Sequence, residues 1–215
     1  MSQFVIEAVV ILLAAFPPPP KLEISVPEVQ RLIQRAQKGD SKAVAQLYRT
    51  FAQRIYRYIA YRVSSSSDAE DLTAEVFVKM VEGLPVYRWT GAPFESWLYS
   101  IASARVIDFR RRTSRRPESE LSETLDANEP LPEELLQDNQ EIETLREAIQ
   151  KLSDEQQTVL VLRFIERKSH QEVAEIIGKS VSAVKSIQHR ALIELTAHLG
   201  LGEKVRHYLR GVSNE

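Results

Sequence analysis

Residues 152–199 read LSDEQQTVLVLRFIERKSHQEVAEIIGKSVSAVKSIQHRALIELTAHL, and this stretch decides the fold of the chain. Ser153–Gln156 and Ser169–Glu172 both have the capping-box form, in which a Ser oxygen and a Glu or Gln side chain satisfy the free amides of a first helical turn. Gly178 suits the left-handed residue just past a helix end, and a third helix opens at Ser180. The stretch therefore predicts three short helices in series.

The third helix has one apolar and one polar side at about 100° per residue. The apolar side carries Val184, Ile187, Ala191 and Leu195, and the opposite side carries Ser182, Lys185, Ser186 and His189. A helix, a tight turn with glycine and a second helix that starts with small polar and basic residues is typical of an element that enters a DNA major groove. Arg190 lies at the flank, within reach of a phosphate. The pattern alone leaves open a small three-helix bundle whose third helix is merely solvated.

Composition limits the class of protein. The 215 residues include 28 basic and 30 acidic residues, a net charge of −2, so any nucleic-acid binding must depend on local charge. The absence of Cys excludes disulfides and thiolate zinc sites, and we expect a protein of the reducing cytoplasm. With only 7 Gly and long stretches of helix-forming residues, the sequence predicts an all-α protein of one or two domains.

Residues 1–26 form an apolar and proline-rich leader. Phe4–Phe16 is apolar except for Glu7, and Pro17–Pro20 follows. A helix of this length reaches about 20 Å, against roughly 30 Å of membrane hydrocarbon, so it should not span a bilayer. It also lacks the basic start and cleavage site of a secretory signal. A mobile tail, a start codon placed too early, and a membrane or partner anchor all remain open.

Two paired helices are predicted next, over Pro27–Gln37 and from Ser41 to about Val63, separated by Gly39-Asp40. Their apolar residues recur at helical spacing. Their outer face is basic and is interpreted as a solvated surface; it comprises Arg31, Arg35, Lys38, Lys42, Arg49, Arg54, Arg57 and Arg62.

After these two paired helices, the next helix of this part of the chain is predicted to start at the capping box Ser67–Glu70 and to end near Gly83. Its buried stripe is predicted to be Leu72, Val76, Phe77, Met80 and Val81. Asp68, Asp71 and Glu75 remain outside as an acidic face. Acids in a first turn stabilise the helix dipole, and a protein-docking face is the alternative interpretation.

The loop Leu84–Pro93 contains Tyr87, Arg88 and Trp89, and a long helix is predicted from Phe94 to about Arg112. Residues 105–116 contain six Arg against one Asp, a net charge of +5. Aromatic residues before a helix that ends in a basic cluster suit single-stranded DNA, because bases stack on the rings while the arginines neutralise phosphates.

The charge then inverts, with eleven acids against one Arg over residues 118–147. Residues 117–140 are predicted to be a flexible acidic linker between a helical domain at 27–116 and a helix-turn-helix domain at 141–200, with 201–215 as a tail.

Several motifs together resemble those of bacterial sigma factors of the sigma-seventy family. DAEDLTAEVF at 68–77 resembles the helix that grips the clamp coiled coil of RNA polymerase, and FESWLYSIA at 94–102, with DFRR at 108–111, resembles the helix that opens the minus-ten promoter element. LSDEQQ at 152–157, through VKSIQHRA at 184–191, resembles the module that reads the minus-thirty-five element. The resemblance is greatest to the compact two-domain extracytoplasmic-function, or group four, type.

This resemblance implies a promoter-specificity subunit with three sets of contact residues. Those for minus-thirty-five DNA are Ser182, Lys185, Ser186, His189 and Arg190. Those for the melted minus-ten strand are Tyr87, Arg88, Trp89, Ser103, Arg105, Asp108, Arg111 and Arg112. Those for polymerase are Asp68, Asp71 and Glu75. Ala104 stands where family members commonly have Asn.

The implied partners are core RNA polymerase, through its clamp coiled coil and flap, promoter DNA, and an anti-sigma factor that could hold the protein at a membrane. An autonomous helix-turn-helix regulator with an N-terminal sensing or dimerisation module is the alternative. An enzyme is poorly supported, because the sequence has no phosphate-cradling Gly loop, no zinc-type His pair and no nucleophile–base set. No catalytic residue, cofactor, metal site or small-molecule substrate is therefore predicted.

Overall fold

The computed structural model describes residues 18, 19, 22, 24–113 and 140–200. Most of the predicted leader, nearly all of the predicted linker and the tail 201–215 lie outside the described residues. Within the described ranges all regular structure is helical, which confirms the all-α fold class.

The first module contains four α-helices. They are α1 (Val26–Gln37), α2 (Ser41–Ala60), α3 (Ser66–Gly83) and α4 (Phe94–Thr113), with a 3-10 turn at Leu84–Val86. Asp40 caps α2, because its carboxylate accepts hydrogen bonds from the amides of Lys42 (2.9 Å) and Ala43 (3.2 Å). Helix α1 packs on α2, α2 on α3 and α3 on α4, as the predicted apolar stripes require.

The N-cap of helix α3 lies two residues before its predicted position. Ser65 is the N-cap, and its hydroxyl accepts from the Asp68 amide, so the prediction of a cap at Ser67 was wrong. The serines at 64–67 offer equivalent hydroxyls, and the choice among them depends on the packing of the helix. Val81, predicted to be buried, is 47 % exposed, because Met80 and Leu84 fill the inward positions at the end of the helix.

The second module contains α5 (Gln140–Gln150), α6 (Asp154–Leu160), a π-helical turn at Val161–Ile165, α7 (His170–Ile177) and α8 (Val181–His198). Both predicted capping boxes form, at Ser153 and Ser169. Gly178 takes the left-handed conformation with φ of 65°, and Ser180 caps α8. The three predicted helices of residues 152–199 are therefore confirmed.

The two modules pack against each other. Helix α4 contacts α7, and α2 contacts the turn at Val161–Ile165. Arg57 and Arg62 lie in this junction and are only 3 % and 1 % exposed, so the prediction of a solvated basic face was wrong for these two residues. Helical periodicity shows which side of α2 faces its own module, but it cannot show that a second module covers part of the other side.

Candidate nucleic-acid interface

Helix α8 presents the predicted polar residues on one exposed side. Ser182, Lys185, Ser186, His189 and Arg190 are all exposed. The opposite side is buried through Val184, Ile187, Ala191 and Leu195. No ion pair within the described part of the chain involves Lys185 or Arg190, so both cations are available to an external phosphate.

Gln188 fixes the position of α8 on the rest of the module, a role that sequence reasoning missed. Its Oε1 accepts a hydrogen bond from Arg163 Nε at 3.2 Å and lies 3.0 Å from His170 Nε2. Burial lowers the pKa of His170, and the nearby positive charge of Arg163 lowers it further to a smaller extent. The only sequence signal for this contact is that Gln188 lies at the edge between the two sides of α8.

The loop before α4 forms an aromatic platform. The ring of Tyr87 lies 4.7 Å from that of Trp97 and 5.3 Å from that of Phe94, between centroids. Gln37 Nε2 donates to the carbonyls of Leu84 and Tyr87, both at 2.9 Å, and so holds the loop in place. Gly83 permits this packing, since a Cβ there would lie 2.8 Å from the Trp97 ring.

The other two predicted residues of this loop differ in their exposure to solvent. Arg88 is exposed, whereas Trp89 is half-buried and packs against the core. The platform residues Tyr87 and Trp97 are half-buried as well. Burial raises the pKa of the Tyr87 hydroxyl, so this side chain stays neutral.

The basic end of α4 is partly engaged within the molecule. Arg105 Nη2 pairs with Asp108 Oδ2 at 2.7 Å, and Arg110 Nη1 pairs with Asp154 Oδ1 of the second module at 2.6 Å. Arg111 and Arg112 are exposed, and Ser103 is half-buried beside the exposed Ala104. The other two arginines of the predicted cluster, at 115 and 116, lie outside the described residues.

Helix α3 carries the predicted acidic face. Asp71 and Glu75 are exposed, and Asp68 is half-buried. Burial raises the pKa of Asp68, and the neighbouring Asp71 carboxylate raises it further to a smaller extent. The structure thus separates Asp68 from the two outer acids, whereas the sequence grouped all three.

An apolar groove of about 530 Å³ lies between α2 and α3, next to this acidic face. Tyr48, Phe77, Val78 and Val81 line it, and the rings of Tyr48 and Phe77 pack at 4.8 Å. Sequence reasoning missed this groove. Its signal was the pair Val78 and Val81, apolar residues on the outward side of α3.

Among the described residues, no group of three or more His, Asp or Glu side chains is placed to hold a metal ion. No helix in that part of the chain is long and apolar enough to cross a membrane.

Comparisons with known proteins agree with the two-module layout. The family model Sigma-70 region 2 matches residues 47–116, and Sigma-70, region 4 matches residues 148–196. The ECF RNA polymerase sigma factor BldN of Streptomyces coelicolor is 35 % identical over 166 residues, which cover 76 % of this chain and 63 % of BldN. The RNA polymerase sigma factor YlaC of Bacillus subtilis is 34 % identical over 160 residues, which cover 73 % of this chain and 92 % of YlaC.

A solved structure has a similar fold. CnrH, in complex with the cytosolic domain of CnrY, aligns with a TM-score of 0.61 and 23 % identity, over 80 % of this chain and 97 % of CnrH. The likeness extends over both helical modules.

Proposed function

The chain belongs to the sigma-70 family of RNA polymerase sigma factors, in its extracytoplasmic-function group, and on this premise we propose how its two modules divide the initiation of transcription. The protein binds core RNA polymerase, recognises the minus-thirty-five and minus-ten promoter elements and promotes melting of the DNA. It is a DNA-binding regulator by family, without catalysis of its own.

The exposed side of α8 is the proposed reader of the minus-thirty-five duplex. The observation that carries this assignment is that all five predicted contact residues are exposed on a helix whose other side is the core of its module. Small polar residues at 182 and 186 permit close approach to base edges, and Lys185 and Arg190 supply the cations.

The aromatic platform and the exposed arginines of α4 are the proposed site for the melted minus-ten strand. Unpaired bases stack on aromatic rings, while phosphates are neutralised by Arg. Trp89 is the proposed stacking residue, and Arg88, Arg111 and Arg112 are the proposed phosphate contacts. Ser103, Arg105 and Asp108 lie on the same helix and complete the predicted set.

The outer side of α3 is the proposed polymerase-docking face, through Asp71 and Glu75. Asp68, which is half-buried, contributes mainly by shaping the start of the helix. The apolar groove beside these acids supports the assignment, because specific protein interfaces combine an apolar centre with a charged rim.

A regulatory protein is the further proposed partner. The sigma factor RpoE of Bartonella quintana, which has a similar fold, was solved in complex with the anti-sigma factor NepR, and this supports an anti-sigma factor as a partner for this chain. Because the chain has no Cys, any thiol-based sensing would reside on that partner. The proposed site of action is the cytoplasm.

Run-off transcription tests the proposal. Core polymerase with and without the protein is incubated with fragments of the source genome, and new transcripts that start at defined positions are expected only when both are present. An autonomous helix-turn-helix regulator would instead bind operator DNA tightly without polymerase. Tight duplex binding by the isolated protein, with no transcripts above those of core polymerase, would contradict the sigma-factor assignment.

A further inference from the structure

One side chain joins the end of helix α1 to the loop of the aromatic platform. Gln37, the last residue of α1, donates from its Nε2 to the carbonyls of Leu84 and Tyr87, both at 2.9 Å. Carbonyl oxygens only accept hydrogen bonds, so the NH2 group of the amide must face them, and both of its hydrogens are used. A single half-buried amide therefore holds two points of the loop that are three residues apart.

The Tyr87 carbonyl lies where the chain leaves regular structure. Leu84–Val86 is a 3-10 turn, whereas Tyr87 after it is extended, with φ of −59° and ψ of 133°. Because the peptide group is planar, a restraint on the Tyr87 carbonyl also restrains the plane of the peptide bond that leads to Arg88. Gln37 thus controls the direction in which the chain continues beyond the turn.

The ring contacts of the platform restrain a different part of the loop. The Tyr87 ring packs on those of Phe94 and Trp97, and Trp89 packs against the core. Apolar packing is non-directional, whereas a hydrogen bond weakens steeply as its angle departs from linear. The rings therefore hold the loop close to the core, and the hydrogen bonds of Gln37 hold the direction of its backbone.

The end of α1 is a firm base for this contact. Helix α1 is buried through Ile33 and Ala36, just before Gln37. The Asp40 amide donates to the Arg35 carbonyl at 3.1 Å, which closes the turn after the helix. A side chain can position another group only when its own backbone is held in place. Helix α1 provides this support, although it carries none of the predicted DNA contacts.

We propose that Gln37 is a positioning residue for the site of the melted minus-ten strand, which we call the strand site. It orients the loop so that Arg88 faces the phosphates and Trp89 stacks on an unpaired base. This inference rests on the proposed function and adds to it a residue that does not touch DNA itself. The alternative is a role in stability alone, in which Gln37 affects opening only through the folded fraction of the protein.

A double-mutant cycle tests whether Gln37 acts through Trp89. Gln37→Met keeps the length of the side chain but cannot donate a hydrogen bond. In the full chain with core polymerase, we expect it to slow promoter opening about fivefold, as residues coupled through a shared backbone segment do. In a Trp89→Ala background the same substitution should slow opening by less than about twofold, because the ring that Gln37 positions is already absent. Equal slowing in both backgrounds would overturn the proposal.

Two further variants show whether the hydrogen-bond donor is what matters. Gln37→Glu has the shape of Gln, but an ionised carboxylate only accepts and repels the two carbonyls, so opening should slow at least as much as with Gln37→Met. Gln34→Met is the matched control, since Gln34 is exposed on the same helix, and it should open DNA at the parental rate. A parental rate for Gln37→Glu, or equal slowing by Gln34→Met and Gln37→Met, would contradict the inference.

The loop can also be followed in the free protein, without polymerase or DNA. The chain has two Trp residues, so Trp97→Phe leaves Trp89 as the only one and keeps a ring beside Tyr87. In this background Gln37→Met should increase the quenching of Trp89 fluorescence by acrylamide, and Gln34→Met should leave it unchanged. Equal quenching in these two proteins would overturn the proposal.

These outcomes separate the inference from the function on which it rests. Failed run-off transcription, or a parental opening rate for Trp89→Ala, would count against the proposed function. Slow opening by Trp89→Ala with a parental rate for Gln37→Met would leave the strand site in place and exclude Gln37 as its positioning residue. Slowing by Gln37→Met that only follows a loss of folded protein, measured by circular dichroism at the assay temperature, would assign Gln37 a role in stability alone and overturn the inference.

Discussion

The two helices that carry the predicted DNA contacts differ in how much of their DNA side is available. On α8 every predicted contact residue is exposed, and the packing side belongs to the same module. On α4, Arg105 pairs with Asp108 and Arg110 is bound to Asp154 of the other module. A helix whose packing side lies within its own module leaves its whole ligand side exposed, whereas a helix at a module junction has part of its charged surface engaged by the other module.

Substitutions in the proposed site for the melted minus-ten strand should give the largest effect. Trp89→Ala removes a stacking surface, and stacking contributes about 1–3 kcal/mol per base, so we expect promoter opening to slow by roughly tenfold or more. Binding of the closed, fully paired promoter should not change. The measurement is the rate of opening at saturating protein, followed with a fluorescent base analogue in the minus-ten element.

Two controls separate stacking from folding in that experiment. Trp89→Phe keeps an aromatic face and should restore most of the opening rate. Arg112→Ala, at an exposed position, should slow opening without loss of thermal stability. A Trp89→Ala protein that opens DNA at the normal rate, or that loses opening only in proportion to its loss of folding, would remove Trp89 from the strand site.

Substitutions on the exposed side of α8, the proposed reader of the minus-thirty-five duplex, should have a smaller effect, on promoter binding instead of promoter opening. Lys185→Ala and Arg190→Ala each remove an exposed cation from α8, and each lost phosphate contact should reduce the salt dependence of promoter binding by about 1 in log–log slope. The opening rate of promoter already bound should be unchanged. Ser182→Ala is the matched control, since it lies on the same side but carries no charge. If these variants slowed opening as Trp89→Ala does, the division between the two helices would be wrong.

Within each module, the sequence was sufficient to predict the fold. Capping boxes, Gly178 and helical periodicity identified the helices of residues 152–199 and the exposed side of α8, because all of these signals act within a few residues along the chain. The errors made in predicting the structure within each module were small. The cap of α3 is at Ser65 rather than Ser67, and Val81 faces outward.

Contacts between the modules could not be predicted in the same way. Arg57 lies in α2 and Glu166 lies directly after the turn at Val161–Ile165, 109 positions further along the chain, so no periodicity connects them. Arg57 was interpreted as part of a solvated face because buried arginines are rare unless they are paired, and its partner is visible only in three dimensions. The apolar groove lies within the first module, and it was missed although Val78 and Val81 mark it, because only the packing of α2 on α3 brings its two sides together.

Substitutions on the proposed polymerase-docking face of α3 should leave both proposed DNA sites unaffected. Asp71→Lys combined with Glu75→Lys reverses two exposed charges on α3, so we expect slower association with core polymerase and unfolding free energies within about 0.5 kcal/mol of the parent protein. Glu175→Lys, at an exposed position of the second module, is the control for a change of net charge in the same direction. Unaltered polymerase affinity in the double variant would exclude these acids from the interface.

The smallest effect is expected from the leader, and it bears only on the α4 side of the comparison. The carbonyl of the leader residue Pro18 accepts a hydrogen bond from Arg57 Nη1 at 2.9 Å. Deletion of residues 1–16 keeps this contact, and deletion of residues 1–20 removes it. Because Arg57 also donates to the Ile165 carbonyl and faces Glu166, it should keep its place in both proteins. We therefore expect equal run-off transcription from both truncated proteins and the full chain, and a slightly lower melting temperature only in the protein that lacks Pro18. Loss of promoter opening in the shorter deletion would show that residues 1–16 act in initiation, and equal melting temperatures in all three proteins would show that the Pro18 contact contributes nothing to stability.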